Sequence, residues 1–268
     1  MRWNYKEIDY EKINKKALKD NEFLFYLITS ASFIEITSHV YEKNLKEFYK
    51  GDESLIKWLE NVWEPEEIQH GKALKKFVNS VWKDFDWDSA YKRFLEDYLP
   101  HCTLEEFQPT KAKEMLARMV VETGTSTFYR AIENYSKDLD TPILAQISRN
   151  ISKDEVYHYD IFEEAYQKYN KIEKLKKDDI IKVIYNRLKM VDGEDAKLAF
   201  KAIYEEKNLK KFEDKYYEEH KKNVGTFAKK YYPYNMAIKM LLRPLNLNKT
   251  IEKLTIPVIK GALKILGI

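Results

Sequence analysis

The sequence predicts an all-α protein, and three observations carry that reading. Glycine and proline number seven each in 268 residues, and long stretches contain neither. Leu, Lys, Glu, Ala and Tyr dominate, the composition of a mostly helical chain. No segment alternates with period 2, so no strand is expected.

The elements follow from periodicity and from the residues that break it. A short polar helix fits residues 10–19. A long apolar helix is expected over 22–49. The next covers 53–82, with Pro65 as a local break, because a proline ring removes a backbone donor and crowds the preceding turn. A shorter helix fits 88–98 and stops at Pro100. A long one runs from 110 to 137. Another begins after Asp140, with Pro142 suited to its first turn, and runs to 169. Helices continue over 178–206 and 208–231, and Pro233 and Pro244 interrupt the tail. We read 1–231 as one helical domain with its core over about 20–170. Residues 232–268 are then a tail that packs on the bundle or on a partner.

Charged residues make up 34% of the chain, yet the signs nearly cancel at +3. That balance lacks the basic bias expected of a nucleic-acid binder. One cysteine, Cys102, leaves no intrachain disulfide, which fits a reducing, cytoplasmic setting. The first residues lack the apolar stretch of a signal peptide. The most apolar segment, 23–41, contains Glu35 and His39 and reads as a buried helix rather than a membrane span.

Two halves of the chain echo each other. Glu35 is followed 32 residues later by Glu67 and then His70; Glu122 is followed 33 residues later by Glu155 and then His158. Each half is a helical hairpin that supplies one Glu and then Glu-x-x-His. On a helix, residues i and i+3 lie about 60° apart in azimuth and about 4.5 Å apart along the axis, so both reach one ion. Glu35 and Glu122 stand in apolar helical segments, where a carboxylate is costly unless it is paired or bound to metal. Glu67 and His70 share a face with Trp63, Leu74 and Phe77. Glu155 and His158 share one with Leu144, Ile147, Ile151 and Phe162. Six such side chains projecting inward from four helices make the di-metal site of a ferritin-like four-helix bundle, here with additional C-terminal helices. Four carboxylates and two imidazoles suit two iron ions, with manganese as an alternative. His39 lies one turn from Glu35 and could support it. His101 and His220 read as structural or surface residues.

Within residues 20–170 the sequence resembles the soluble acyl-carrier-protein desaturases. Trp63, Glu66, Glu67, His70 and Gly71 fit that family's W-x-x-E-E-x-x-H-G pattern. Asp154, Glu155 and His158 fit its D-E-x-x-H, and Glu122 with Thr125 fits its E-x-x-T. The resemblance implies metal ligands at Glu35, Glu67, His70, Glu122, Glu155 and His158. It implies that Thr125 lies beside the O₂ pocket and relays a proton. It places Asp154 and Trp63 behind the ligands on an electron path, with Trp3 as the candidate surface tryptophan. The chain departs from the plant pattern at Tyr159, where glutamate is usual.

The expected activity is O₂-dependent insertion of a double bond into an acyl chain held on acyl carrier protein, a step of fatty acid metabolism. A ferredoxin-like electron donor and a homodimer are expected with it. Ile28, Phe33, Met115, Met119 and Phe128 are candidate channel residues. Lys171, Lys174, Lys176, Lys177 and Lys182, or Lys221, Lys222, Lys229 and Lys230, are candidate docking patches for an acidic carrier. The tail 250–268, apolar with scattered lysines, could touch a membrane surface or a partner. Two alternatives keep the same ligands: a di-iron oxygenase or N-oxygenase of a small molecule, and a non-enzymatic iron-binding ferritin-like protein.

Overall fold

The computed structural model describes residues 1–189 and 194–266, with side chains for all of these except 194 and 262–266. Among the described residues there are helices and no strands. In chain order the helices are α1 (Lys15–Leu18), α2 (Glu22–Ile36), α3 (Ser38–Phe48), α4 (Glu53–Trp58), α5 (Glu64–Val81), α6 (Trp87–Tyr98), α7 (Lys111–Asp138), α8 (Pro142–Glu173), α9 (Lys177–Lys189), α10 (Glu194–Asn208), α11 (Asp214–Tyr231), α12 (Tyr234–Leu242) and α13 (Lys249–Leu266). Several start where a short polar side chain accepts an otherwise unmet backbone N–H. Asn21 accepts from Leu24, Asp52 from Leu55 and Asp86 from Ser89.

Two expected helices are interrupted, each for a local reason. The expected 22–49 helix breaks at Thr37. Its hydroxyl lies 2.8 Å from the Phe33 carbonyl oxygen, and its N–H reaches both the Phe33 and Ile34 carbonyls. The 27 residues of this pair, Glu22–Phe48, are long and apolar enough to cross a membrane by length and composition, but two thirds of the apolar window is buried in the protein. The 53–82 helix contains a π turn at Leu59–Trp63, closed by a bond from the Glu64 N–H to the Leu59 carbonyl. Pro65 sits in the first turn of α5, where its missing donor costs least. The expected 208–231 helix starts later, at Asp214. Leu209 takes a left-handed conformation (φ 50°), and the Phe212 N–H is captured by the Glu205 side chain. Residues 190–193, inside the expected 178–206 segment, lie outside the described residues.

The chain divides into two units. The first comprises Met1–Glu106, Ser136–Ile147 and Asp192–Asn223. Its core sets α2 against α5, with α10 against α2 and α6. Aromatic rings fill the remaining space: Trp87 meets Phe33 edge-on at 4.9 Å, and its indole N–H donates to the Ser32 hydroxyl. The end of α2 approaches α5 closely at Gly71. A Cβ there would collide with Ile36 Cγ1 and lie 2.7 Å from the Ile36 backbone nitrogen. Only glycine lets the two helix backbones run this near each other.

The second unit comprises Phe107–Tyr135, Ser148–Val191 and Val224–Ile268. Here α7 and α8 run together. The buried Ser152 hydroxyl donates to the Ser126 carbonyl at 2.8 Å. The buried Glu133 carboxylate accepts from Arg149 at 2.9 Å and from Arg130. The start of α12 and its end are tied to this pair. Tyr232 shares a hydroxyl–hydroxyl bond with Thr127, Tyr159 donates to the Met240 carbonyl, and Arg243 pairs with Asp160 and Glu163.

Candidate metal centre

In the first unit, α2 supplies Glu35 near its C-terminal end, and α5 supplies Glu67 and His70 one turn apart. All three are buried. Their ligand atoms gather within 4.8 Å of one another, and His70 Nδ1 stands 3.6 Å from Glu35 Oε2. The neighbouring Glu66 is also buried and takes a salt bridge from Arg2 at 3.3 Å. The N-terminal segment lies along this helix. The Trp3 ring stacks on the His70 ring with centroids 6.1 Å apart and planes 10° from parallel, and Tyr10 donates to the Ala73 carbonyl.

The second unit repeats the arrangement. α7 supplies Glu122, and α8 supplies Glu155 and His158, all buried. His158 Nδ1 lies 3.4 Å from Glu155 Oε2 and 3.9 Å from Glu122 Oε2. Again the three ligand atoms sit within 4.8 Å of one another. In both units it is Nδ1 that faces the carboxylates. The Thr125 hydroxyl lies 3.2 Å from Glu155 Oε2 and 3.3 Å from the carbonyls of Val121 and Glu122. It can therefore hold the ligand carboxylate or bond to its own helix, and the two are nearly equal in distance. Asp154, beside Glu155 on α8, is buried, as is Trp63 in the π turn before α5.

These donor sets fit a metal ion. Two donors bound to one ion at about 2.1 Å each lie about 3 Å apart at a right angle, so separations of 3.4–3.9 Å need only a small contraction. Two carboxylates within 4.8 Å repel by about 3 kcal/mol at an effective dielectric of 20, and burial adds to that cost. A divalent cation offsets both terms. Carboxylate oxygens with one imidazole per group suit a hard or intermediate divalent cation rather than a soft one. Each buried Glu/His group could hold a metal ion.

The remaining candidates fall as follows. His39 is exposed, with Nδ1 against the Ile36 carbonyl rather than behind Glu35. Ile28, Phe33, Met115 and Met119 are buried, and Phe128 is half-buried. A cleft of about 290 Å³ opens in the first unit between Lys19, Asp20, Glu22, Phe25, Trp82 and Lys207, and none of the six candidate ligands lines it. Arg2 is a residue that motif reasoning missed. It lies in a segment without periodicity, and nothing in its neighbours' spacing points to Glu66. Compared with protein-family models, with curated proteins and with solved structures, the chain matches none.

Proposed function

We propose that the two triads each hold an iron ion, two per chain, and that the protein is a ferritin-like di-iron protein. On this reading the protein is an O₂-dependent oxidoreductase that introduces a double bond into an acyl chain carried on acyl carrier protein. One observation carries it: each unit gathers a lone helical Glu with the Glu-x-x-His of another helix, buried and with the same imidazole nitrogen inward. The order and register of the desaturase-like motifs support the acyl substrate.

A saturated C–H bond has no acidic proton, so side-chain acid–base chemistry alone cannot remove it. The iron pair supplies the two-electron chemistry with O₂ that this needs. Glu35, Glu67 and His70 would hold one iron, and Glu122, Glu155 and His158 another. Their helices fix the donors before the ions arrive, which excludes water and limits rearrangement. Thr125, in reach of Glu155 Oε2, would steady that carboxylate or pass a proton at its own hydroxyl. Trp3, half-buried and stacked on His70, would connect the ligand to an external electron donor. A reducing, cytoplasmic location and a ferredoxin-like partner belong to the same proposal, as does a homodimer.

The test is to load the protein with iron under argon and count the ions. The loaded protein is then given acyl carriers of several chain lengths, reductant and O₂, and the products are weighed. Two irons per chain and a product lighter by two hydrogens support the proposal. A product heavier by one oxygen atom would make the protein an oxygenase. Iron uptake with no change in any acyl carrier would leave only an iron-binding protein, and failure to take up iron or manganese would refute the centre itself.

A further inference from the structure

In the first unit the N-terminal segment is held firmly at one end and lightly at the other. Ile8, Tyr10, Ile13 and Leu18 are buried. The Tyr10 hydroxyl donates to the Ala73 carbonyl of α5, and the Lys76 ammonium of the same helix lies 4.5 Å from the Tyr10 ring centroid. Ahead of Ile8 no residue is buried: Arg2, Asn4, Lys6 and Glu7 are exposed, and Trp3 and Tyr5 are half-buried.

Arg2 and Trp3 tie this lighter end to α5. Arg2 pairs with Glu66 at 3.3 Å, and its side chain is still 40% exposed while that of Glu66 is 2% exposed. Trp3 lies over the His70 ring with the planes 10° from parallel. Glu66, His70 and Ala73 follow one another at intervals of four and three residues, so they share one face of α5. The segment therefore covers the face that carries His70, and Glu66 adjoins the proposed ligand Glu67 in the chain. A stretch that buries little apolar surface opens at low cost while its anchored part stays in place. An ion pair with one partner in water is readily exchanged. When Arg2 leaves, a buried carboxylate loses a counter-charge, which is costly, and an incoming divalent cation restores it.

We propose that residues 2–7 form a flap over the first triad, latched by Arg2 and Trp3, and that Glu66 receives a ferrous ion when the flap opens and hands it to Glu67 and His70. The exchange balances. The guanidinium moves from Glu66 into water, the hydrated ion sheds water to take the carboxylate, and no proton or electron changes hands. The negative charge of Glu66 draws cations, not anions, into the opening. The inference rests on the metal reading of the first triad. The second triad serves as an internal reference, because Glu122, Glu155 and His158 stand on α7 and α8 and not on this face of α5.

Metal exchange in the full chain tests it. The protein is loaded with ferrous iron under argon, and a coloured ferrous chelator follows removal of the ions in a stopped-flow mixer. Arg2→Gln and Trp3→Ala should each speed release of one of the two irons about tenfold. Uptake of that ion should quicken equally, so stoichiometry, affinity and the rate of the other iron stay as in the native chain. Trp3→Phe keeps a ring over His70 and should release iron at the native rate. Glu66 separates an entry route from a merely structural ion pair. The double variant Arg2→Gln/Glu66→Gln should take up the first ion about tenfold more slowly than Arg2→Gln alone. The proposal is overturned if Arg2→Gln and Trp3→Ala release both irons at the native rate. It is equally overturned if either variant binds one iron fewer, since Arg2 and Trp3 would then build the site and not close it, or if the double variant takes up iron as fast as Arg2→Gln. A native chain that takes up no iron refutes the metal reading and the flap with it, whereas two bound irons with unaltered rates refute the flap alone.

Discussion

Replacing Gly71 with alanine tests how tightly the first triad is set by backbone contact. The new Cβ would meet Ile36 Cγ1, lie 2.7 Å from the Ile36 nitrogen and 3.0 Å from the Ser32 carbonyl oxygen. A side chain can rotate away, but a backbone nitrogen cannot. To restore ordinary contact at 3.4 Å the two helices must part by about 0.7 Å at this point. Overpacking of this kind costs about 1–3 kcal/mol. Alanine returns up to about 1 kcal/mol in helix propensity; because the clash is with backbone, the cost falls at the upper end of that range and the net loss is about 2 kcal/mol, a fall in Tm of about 4–8 °C. Gly71 adjoins His70, and Ile36 adjoins Glu35, so the displacement falls on two proposed ligands. Affinity for the first ion should drop by about tenfold or more. Calorimetry and iron titration read the two effects. A double-mutant cycle with Ile36→Ala sharpens the test: it removes the Cγ1 clash and leaves the backbone clash, so it should restore part of the stability and not all. If Gly71→Ala is as stable as the native protein and binds iron as well, the contact is not what spaces these helices.

Glu122→Gln should lose one of two irons by elemental analysis, yet its metal-free form should melt higher than native apo-protein by about 1–3 kcal/mol of stability, because one member of a repelling buried carboxylate pair is gone; equal melting of the two apo-proteins would contradict that. His220 sits among Phe23, Tyr26, Phe200 and Tyr217, and burial lowers its pKa to about 4. The unfolded chain binds that proton near pH 6.5 and the folded chain near 4, so this stability is complete above pH 6.5 and lost as pH falls to 4. The loss amounts to about 3 kcal/mol, and His220→Phe should flatten that part of a urea-denaturation pH profile. Trp3→Leu should leave iron stoichiometry unchanged and slow reduction of the iron by an external donor; unchanged stopped-flow reduction would remove Trp3 from the electron route.

The helical class was legible because few residues interrupt the 3.6-residue rhythm, and both triads were legible because a carboxylate in an apolar helix is anomalous by itself. Motif spacing located Glu67 with His70 and Glu155 with His158 without any structure. What spacing could not supply was the local competition for backbone bonds. Thr37 divides an apolar run because its hydroxyl takes a helix carbonyl. The π turn absorbs the residues before Pro65. Leu209 turns left-handed, a conformation no periodicity announces. Contacts made by the N-terminal segment were equally hidden, since Arg2 and Trp3 act on Glu66 and His70 from more than sixty positions away.

The serine pair that joins α7 and α8 has a consequence for exchange of amide hydrogens. With Ser152 bonded to Ser126 at the interior and Glu133 gripping arginines from both helices, neither helix can fray in its middle without breaking the other's bonds. In deuterated water these two segments should protect their amides as a single slow block. Glu122, Glu155 and His158 all lie in that block, so ions could be taken up and released there many times while the backbone around them stays closed.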